Sequence, residues 1–179
     1  MLKMNKYFKL GKKLFPICRS ITGLGAKKTL QIIKKEFSNL KIYKIKSGKK
    51  IYDWKIPPEW NIKDAYVVDK KGKKIINFKK SNLHVVSYST PIKKTINKTF
   101  LLKRLHSLSN QANAIPYKTS YYKKYWGFCI SHNEKKKIIR NYNNLDKFKI
   151  FIDSDLNKKG HLNYGELIIK GKSKQEILV

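Results

Sequence analysis

Apolar residues near the N-terminus recur at the three- to four-residue spacing of amphipathic helices. The pattern predicts a first helix over residues 4–15. Its apolar face would be formed by Met4, Phe8, Gly11 and Phe15. A second helix is predicted to begin after Thr22, its N-cap, and to end at Asn39. The stripe predicted to pack on the core comprises Ala26, Leu30, Ile33 and Phe37.

The spacing changes to a two-residue alternation after the second helix. LKIYKIKSG predicts a strand running to Gly48, and DAYVVD, KKGK and KIINF predict a hairpin in which Gly72 takes a positive φ. LHVVSYS, residues 83–89, predicts a further strand, and TFLLKRLHSL predicts a short helix. Two prolines and two tryptophans in IYDWKIPPEW mark a change of composition near residue 50, so residues 51–98 are expected to be mostly β.

The last third of the chain returns to mixed structure. WGFCISHNEKKK predicts a strand followed by a helix, and KFKIFIDSDLNKKGHLNYGELIIKG predicts a second hairpin. KSKQEILV predicts a helical turn entering an apolar strand that stops at Val179. The helix–loop–helix–strand opening and this ending together predict an α/β fold interrupted by a small, mostly β segment.

The charge is strongly positive, with 42 Lys and Arg against 11 Asp and Glu and a formal net charge of +31. Such a balance attracts nucleic acids and anionic surfaces. However, only three of the basic residues are arginines, the side chain that forks onto bases and phosphates, and the lysines are spread along the whole chain. We therefore expect non-specific attraction to polyanions and no specific recognition of nucleic acid.

Cysteine usage and hydropathy indicate in which cellular compartment the protein is expected. Cys18 and Cys129 do not make a disulfide framework, which favours a reducing compartment. The N-terminus lacks the apolar core of a signal peptide, and no run approaches the length of a membrane span. The sequence predicts a cytoplasmic protein with no membrane partner.

Two partial metal motifs are present, and neither is complete. Asp153, Asp155 and Asn157 begin a calcium loop, but Lys158 and Tyr164 stand where that loop needs glycine and glutamate. A hairpin turn is the expected structure there. Cys129 and His132 have the spacing of half a zinc site, with no second pair. No complete catalytic set is present in the sequence.

Two short polar stretches remain as candidate binding sites. Arg19, Ser20 and Thr22 precede a helix N-terminus and could hold an anion or carboxylate. The alternative is an ion pair between Arg19 and an acidic neighbour, with Ser20 as a cap. The second stretch is Ser131-His132-Asn133, at the C-terminal end of a predicted strand, where α/β folds often place function. Its alternative is a helix cap with an exposed histidine.

Five long stretches cover nearly the whole chain in one order: LFPICRSITGLG, YDWKIPPEWNIKDAYV, FKKSNLHVVSYSTP, AIPYKTSYYKKYWGFCISHN and LNYGELIIKGKSKQEILV. Together they resemble the N-terminal part of a bacterial aminopeptidase-like family. The resemblance implies a zinc exopeptidase of the phosphorylase/hydrolase-like fold, with an inserted β domain and a C-terminal winged helix. It also implies a division into residues 1–48 and 126–179 of the peptidase-like domain and residues 49–125 of the insert.

The resemblance limits the activity expected of this chain. In the family, the strand matching EILV leads into a His-Cys-His-Pro loop that begins the metal site, so the zinc ligands and the general base would lie beyond Val179. The chain alone is therefore expected to hold no cofactor and to be inactive. Its partner would be a peptide-like substrate or the rest of the domain. The full-length family is expected to hydrolyse peptides or amides, in some members within surface polysaccharide pathways.

The resemblance also carries over candidate residues near a cleft. They are Arg19, Ser20, Thr22, Gly23, His132, Asn133, Tyr164 and Glu166. A different class of function stays open beside it, namely a lysine-rich, non-catalytic module that binds an anionic partner such as nucleic acid or an acidic glycan.

Overall fold

A computed structural model describes residues 2–172 of the chain. The predicted terminal strand at EILV lies outside the described residues. Both predicted N-terminal helices are present, as α1 (Leu2–Leu14) and α2 (Leu24–Glu36). The predicted N-cap is wrong, because Gly23 precedes α2 as the N-cap and the Thr22 side chain turns into the interior. The apolar stripe of α2 is only half-buried.

The core is built on a four-stranded antiparallel sheet in the order β5-β4-β9-β6. Its strands are β4 (Glu59–Val68), β5 (Lys74–Asn77), β6 (Ile92–Asn97) and β9 (Lys147–Asn157). The strand β9 alternates buried and exposed positions, as expected of a sheet with one face on a core. The predicted β4–β5 hairpin is confirmed, and Gly72 has a φ of 80°.

Residues between these strands cover one face of the sheet. They form α3 (Lys98–Leu102), the parallel pair β7 (Leu105–His106) and β8 (Phe128–Cys129), and α4 (His132–Asn141). Phe128, Phe148 and Ile150 are among the most deeply buried side chains of this core. Two short strands, β2 (Lys50–Ile51) and β3 (Trp54–Lys55), form a small separate ribbon.

A second, two-stranded sheet joins distant parts of the chain. It pairs β1 (Lys41–Lys46) with β10 (His161–Glu166), and α2 packs against β10. The predicted hairpin of β9 with β10 is therefore wrong. β9 pairs with β4 over residues 149–157 and with β6 over residues 147–152, and the chain that follows it pairs with β1 instead of returning along β9.

The strand predicted over residues 83–89 is also wrong. Asn82–His84 form a 3-10 turn, and Tyr88 has a φ of 67°. The segment is buried, and its backbone bonds to loops, with Val86 N–H donating to Gly127 O and Ser87 N–H to Lys118 O. Alternating apolar residues here reflect burial on both sides of an irregular segment.

The α/β class predicted from the sequence is confirmed by these elements. The division at residues 48 and 125 stays a prediction. Since β9 lies between β4 and β6, a boundary near residue 125 separates strands of one sheet. Within residues 2–172, no helix is both long and apolar enough to cross a membrane.

Candidate functional site

A cavity of about 590 Å³ lies beside the loop that joins α1 to α2. Residues 15–19 of the loop form one side, residues 78–83 form the other, and Trp60, Val85 and Ser87 line it between them. Tyr117 completes the lining. The cavity thus brings together the loop singled out in the sequence and three segments that are distant along the chain.

The loop is held in place by a buried hydroxyl pair. Thr22 Oγ1 lies 2.5 Å from the Tyr88 hydroxyl oxygen and accepts the Trp60 backbone N–H at 3.0 Å. The Tyr88 hydroxyl donates to Pro58 O at 2.9 Å. Burial is the main cause that raises the pKa of Tyr88 to about 12, so this phenol remains a neutral donor at physiological pH.

Gly23 fits where a larger residue would collide. Its φ is 94°, and a Cβ added there would lie 2.2 Å from Trp60 O. Next to it, the Leu24 N–H donates to Asn61 Oδ1 at 2.8 Å. The close approach of the glycine to the start of β4 therefore fixes the path of the loop into α2.

Ser20 is not a helix cap. Its Oγ accepts a hydrogen bond at 2.8 Å from Ser87 Oγ, which joins the loop to the cavity floor. Tyr117 lies beside this pair, and its pKa is raised, first by burial and then by the neighbouring Tyr121. The sequence pattern does not reveal Tyr88, Ser87 and Tyr117 as part of this site, because their polar contacts are made across the fold and leave no local spacing.

Arg19 projects at the rim of the cavity. One guanidinium N–H donates to Leu14 O at 2.6 Å, at the end of α1. Within the part of the chain that the structure describes, the ion pairs are Lys6–Glu36, Lys70–Asp146 and Lys79–Asp64, and Arg19 takes part in none of them. The predicted alternative of an ion pair with an acidic neighbour is thus not formed among residues 2–172.

Cys18 lies next to Arg19 and is an unsuitable nucleophile. Burial raises the pKa of its thiol to about 11, against a smaller opposite effect of the Arg19 charge. The thiol is therefore protonated at neutral pH. Cys129 is buried and its pKa is raised in the same way, and both cysteines are free.

The second predicted stretch caps a helix. Ser131 and Glu134 form a reciprocal capping box at the start of α4. His132 Nδ1 lies 3.2 Å from Ser107 Oγ, and Asn133 Nδ2 donates to Asn113 Oδ1 at 2.7 Å. The alternative predicted for this stretch was a helix cap with an exposed histidine, whereas His132 is half-buried.

The remaining two candidates lie on the β1–β10 sheet. Tyr164 stacks on Tyr43, with ring centroids 5.1 Å apart. Glu166 is exposed and stands opposite Lys41 in the register. The eight candidate residues thus occupy three places: the loop at the cavity, the start of α4, and β10. Among residues 2–172, no side-chain hydrogen bond joins these three places. Their role in binding remains a prediction.

The described residues do not fit a zinc site. Between residues 2 and 172, no three His, Cys, Asp or Glu side chains lie close enough together to hold one metal ion. Asp153 and Asp155 lie along β9, and the predicted turn follows at its end, where Gly160 N–H donates to Asn157 O and Lys159 N–H donates to Asn157 Oδ1.

Residues 59–155 match a protein family described as "Domain of unknown function (DUF2172)". This chain belongs to that family. The DUF2172 match begins with β4 and ends within β9, so it coincides with the four-stranded sheet and the elements packed on it. The helices α1 and α2 and the β1–β10 sheet lie outside the match.

Relatives of the DUF2172 chain extend the comparison to nearly all of its length. It is 47% identical over 172 residues to a Clostridium acetobutylicum protein named "Putative polysaccharide biosynthesis protein with aminopeptidase-like domain". That match covers 96% of this chain and 38% of the relative. A crystal structure of a "putative peptidase" from the same organism is similar at a TM-score of 0.82 and 46% identity, covering 90% of this chain and 36% of that one. These matches confirm the aminopeptidase-like resemblance seen in the sequence.

Proposed function

We propose that these 179 residues form the N-terminal part of a metallo-aminopeptidase-like protein that hydrolyses peptide or amide bonds. The proposal rests on the identity between this chain and a relative and on the share of that relative that the chain covers. The chain is 47% identical to an aminopeptidase-like protein over 96% of its own length, yet it spans only 38% of that relative. The partners proposed for it are a peptide-like substrate and the remainder of the peptidase domain.

We further propose that residues 1–179 alone do not catalyse hydrolysis. Amide hydrolysis in such enzymes needs a metal-bound water and a carboxylate base. Residues 2–172 offer no group of three potential ligands, so zinc would be held by residues outside this stretch. What this chain supplies is a fixed loop and the adjoining cavity. The name of the relative supports a role in polysaccharide biosynthesis. A surface polysaccharide pathway and a cytoplasmic location are part of the same proposal.

A second candidate function is a non-catalytic module for an anionic partner. It is supported by the net charge of +31 and by the cationic lining of the cavity. This function requires no metal, so binding without turnover would distinguish it from hydrolysis.

The experiment measures hydrolysis of a panel of aminoacyl p-nitroanilides by residues 1–179 and by the full-length C. acetobutylicum relative, with and without added zinc. We expect the full-length C. acetobutylicum relative to release nitroaniline and to stop when a chelator removes its metal. We expect residues 1–179 to release none. Turnover by residues 1–179 would refute their proposed inactivity, and an inactive relative on a broad panel would refute the peptidase function.

A further inference from the structure

We propose that the cavity beside Arg19 binds a small ligand that carries a carboxylate and an apolar body. This deepens the second candidate function, on which it rests, because it names the site and the chemistry of a small ligand. Three features of the cavity point to it: the charge of its lining, the geometry of the arginine, and its apolar walls.

The charged side chains that line the cavity are all cationic. They are Arg19, Lys79 and Lys80, and no Asp or Glu among residues 2–172 contributes to the lining. Lys79 has a partial counter-charge in Asp64, at 3.7 Å. Arg19 and Lys80 take part in no ion pair within the described chain. An anionic group entering the cavity would therefore be attracted by Arg19 and Lys80 without competition from a carboxylate paired with them.

The arginine is oriented before any ligand arrives. Its bond to Leu14 O uses one of five N–H donors and ties the guanidinium to the end of α1. The remaining donors form a planar fork whose spacing matches the two oxygens of a carboxylate. Only three of the 42 basic residues of the chain are arginines, and one of these three lines this cavity.

Apolar side chains supply the walls. Trp60 and Val85 are buried at the floor and Phe78 is half-buried. Phe15 is 82% exposed and Tyr117 is 58% exposed, so both rings of the lining are accessible to a ligand. A volume of about 590 Å³ lies within the range of small-molecule sites, roughly 300–1,000 Å³.

The floor is rigid enough to present these groups in one geometry. The Thr22–Tyr88 pair and the Ser20–Ser87 bond hold the loop against β4 and the segment 85–89. Because these contacts exist without ligand, little ordering is required on binding. A preformed cationic and aromatic cavity is typical of recognition of a compact anion.

The ligand could be an amino acid or peptide, with its carboxylate and an apolar side chain, or a uronic acid, with its carboxylate and the C–H face of its ring. The test is isothermal titration calorimetry on residues 1–179. The probes are N-acetyl-L-phenylalanine against its amide, and glucuronate against glucose. We expect at least one carboxylate to bind and its neutral counterpart not to bind. The probe that binds identifies the source.

Three variants distinguish the contribution of the Arg19 guanidinium hydrogen bonds from the contribution of net charge. We expect Arg19→Gln to weaken binding about tenfold or more, because it removes a charged hydrogen-bonding partner. Arg19→Lys keeps the charge and loses the fork, so it should also weaken binding. Arg140→Gln removes an equal charge from exposed α4, outside the cavity, and should change binding less than about twofold.

Circular dichroism melts check that each variant is folded, and Lys80→Gln serves if the Arg19 variants are not. Equal binding of acid and amide would overturn the proposal. So would an equal loss in Arg140→Gln, or no binding of either carboxylate.

Discussion

The hydroxyl oxygens of Thr22 and Tyr88 lie 2.5 Å apart, although 66 residues separate them along the chain. Both side chains are about 1% exposed. Both hydroxyls can donate to Pro58 O, at 3.3 Å from Thr22 and 2.9 Å from Tyr88, and Thr22 Oγ1 accepts the Trp60 N–H. One small hydroxyl therefore connects the α1–α2 loop, the start of β4 and the irregular segment around Tyr88.

Replacing Thr22 with valine keeps the shape of the side chain and removes the hydrogen bonds of its hydroxyl with Pro58 O, the Tyr88 hydroxyl and the Trp60 N–H. The Trp60 N–H would then be buried without an acceptor. We expect a loss of about 1–3 kcal/mol in the free energy of unfolding, measured by urea denaturation. Thr95→Val on exposed β6 is the matched control and should change it by less than about 0.5 kcal/mol. Equal effects of the two variants would show that the Thr22 hydroxyl has no special role.

Gly23→Ala tests the close approach of the loop to β4. Gly72 provides the control, since its φ of 80° is similar and no atom lies within 4 Å of an added Cβ. We expect Gly72→Ala to cost about 1–2 kcal/mol from backbone strain alone. Gly23→Ala should cost about 2–5 kcal/mol, because the collision with Trp60 O adds to that strain. Chemical denaturation of both variants measures the difference, which should vanish if the loop can move away freely.

Lys98 is a buried lysine that closes the end of a helix. It is 6% exposed, and its Nζ donates to Ile139 O at 3.2 Å and to Tyr142 O at 2.5 Å. Lys98→Met would leave these carbonyls without that donor and remove a cation from the C-terminal end of α4. We expect a loss of about 1–3 kcal/mol in unfolding free energy.

Lys94→Met, on the exposed part of β6, is the control for the loss of one lysine. Backbone hydrogen exchange adds a local measurement, in which faster exchange in the last turn of α4 should accompany Lys98→Met alone. Unchanged protection there would contradict the capping role.

Asp69 makes stability depend on acid pH. Burial alone would raise the pKa of its carboxyl, but hydrogen bonds from Tyr142 and from the backbone of Lys73 and Lys71 outweigh it and lower the pKa. A carboxyl whose pKa is lowered by folding stabilises the protein above its unfolded pKa, and the stabilisation is lost as pH falls through the folded pKa. Stability from Asp69 is therefore full at neutral pH and declines below about pH 4.

Asp69→Asn should lower stability at pH 7 and flatten the decline at acid pH. Thermal melts between pH 7 and pH 3 measure both effects. Asp155→Asn, at an exposed position of β9, removes the same charge and should leave the decline unchanged. Parallel curves for Asp69→Asn and the unaltered protein would rule out this carboxyl as a source of the acid dependence.

Local patterns predicted those elements whose contacts are local. The helical spacing in residues 4–15 and between Thr22 and Asn39, and the turn at Gly72, are fixed by neighbouring residues, and all three are found, although α2 ends earlier, at Glu36. Pairing is a property of the whole sheet. From KFKIFIDSDLN and HLNYGE alone, nothing shows that β9 pairs with β4 and β6 while β10 pairs with β1, so these segments predict a hairpin with each other.

The candidate site shows the same limit. The loop RSITG was found because its residue types are unusual in a lysine-rich chain. Its partners Ser87 and Tyr88 lie in LHVVSYS, where the alternation of apolar and polar residues is typical of a strand and does not indicate contacts with the loop. Tyr88 departs from that pattern through a positive φ, which tertiary contacts impose.

The charge of +31 makes a prediction about binding that is separate from the cavity. Lysines spread over the surface attract any polyanion, and each phosphate or sulfate contact releases counterions. We therefore expect residues 1–179 to bind single-stranded DNA of unrelated sequences with equal affinity and to lose most of it between about 50 and 200 mM salt. Fluorescence anisotropy with two labelled oligonucleotides of different sequence, titrated at several salt concentrations, measures this affinity.

Glucuronate held at the Arg19 cavity would lose less affinity over the same salt range, since one anionic group makes few such contacts. Binding to one DNA sequence that persists at high salt would instead indicate specific recognition, which three arginines in the whole chain make unexpected.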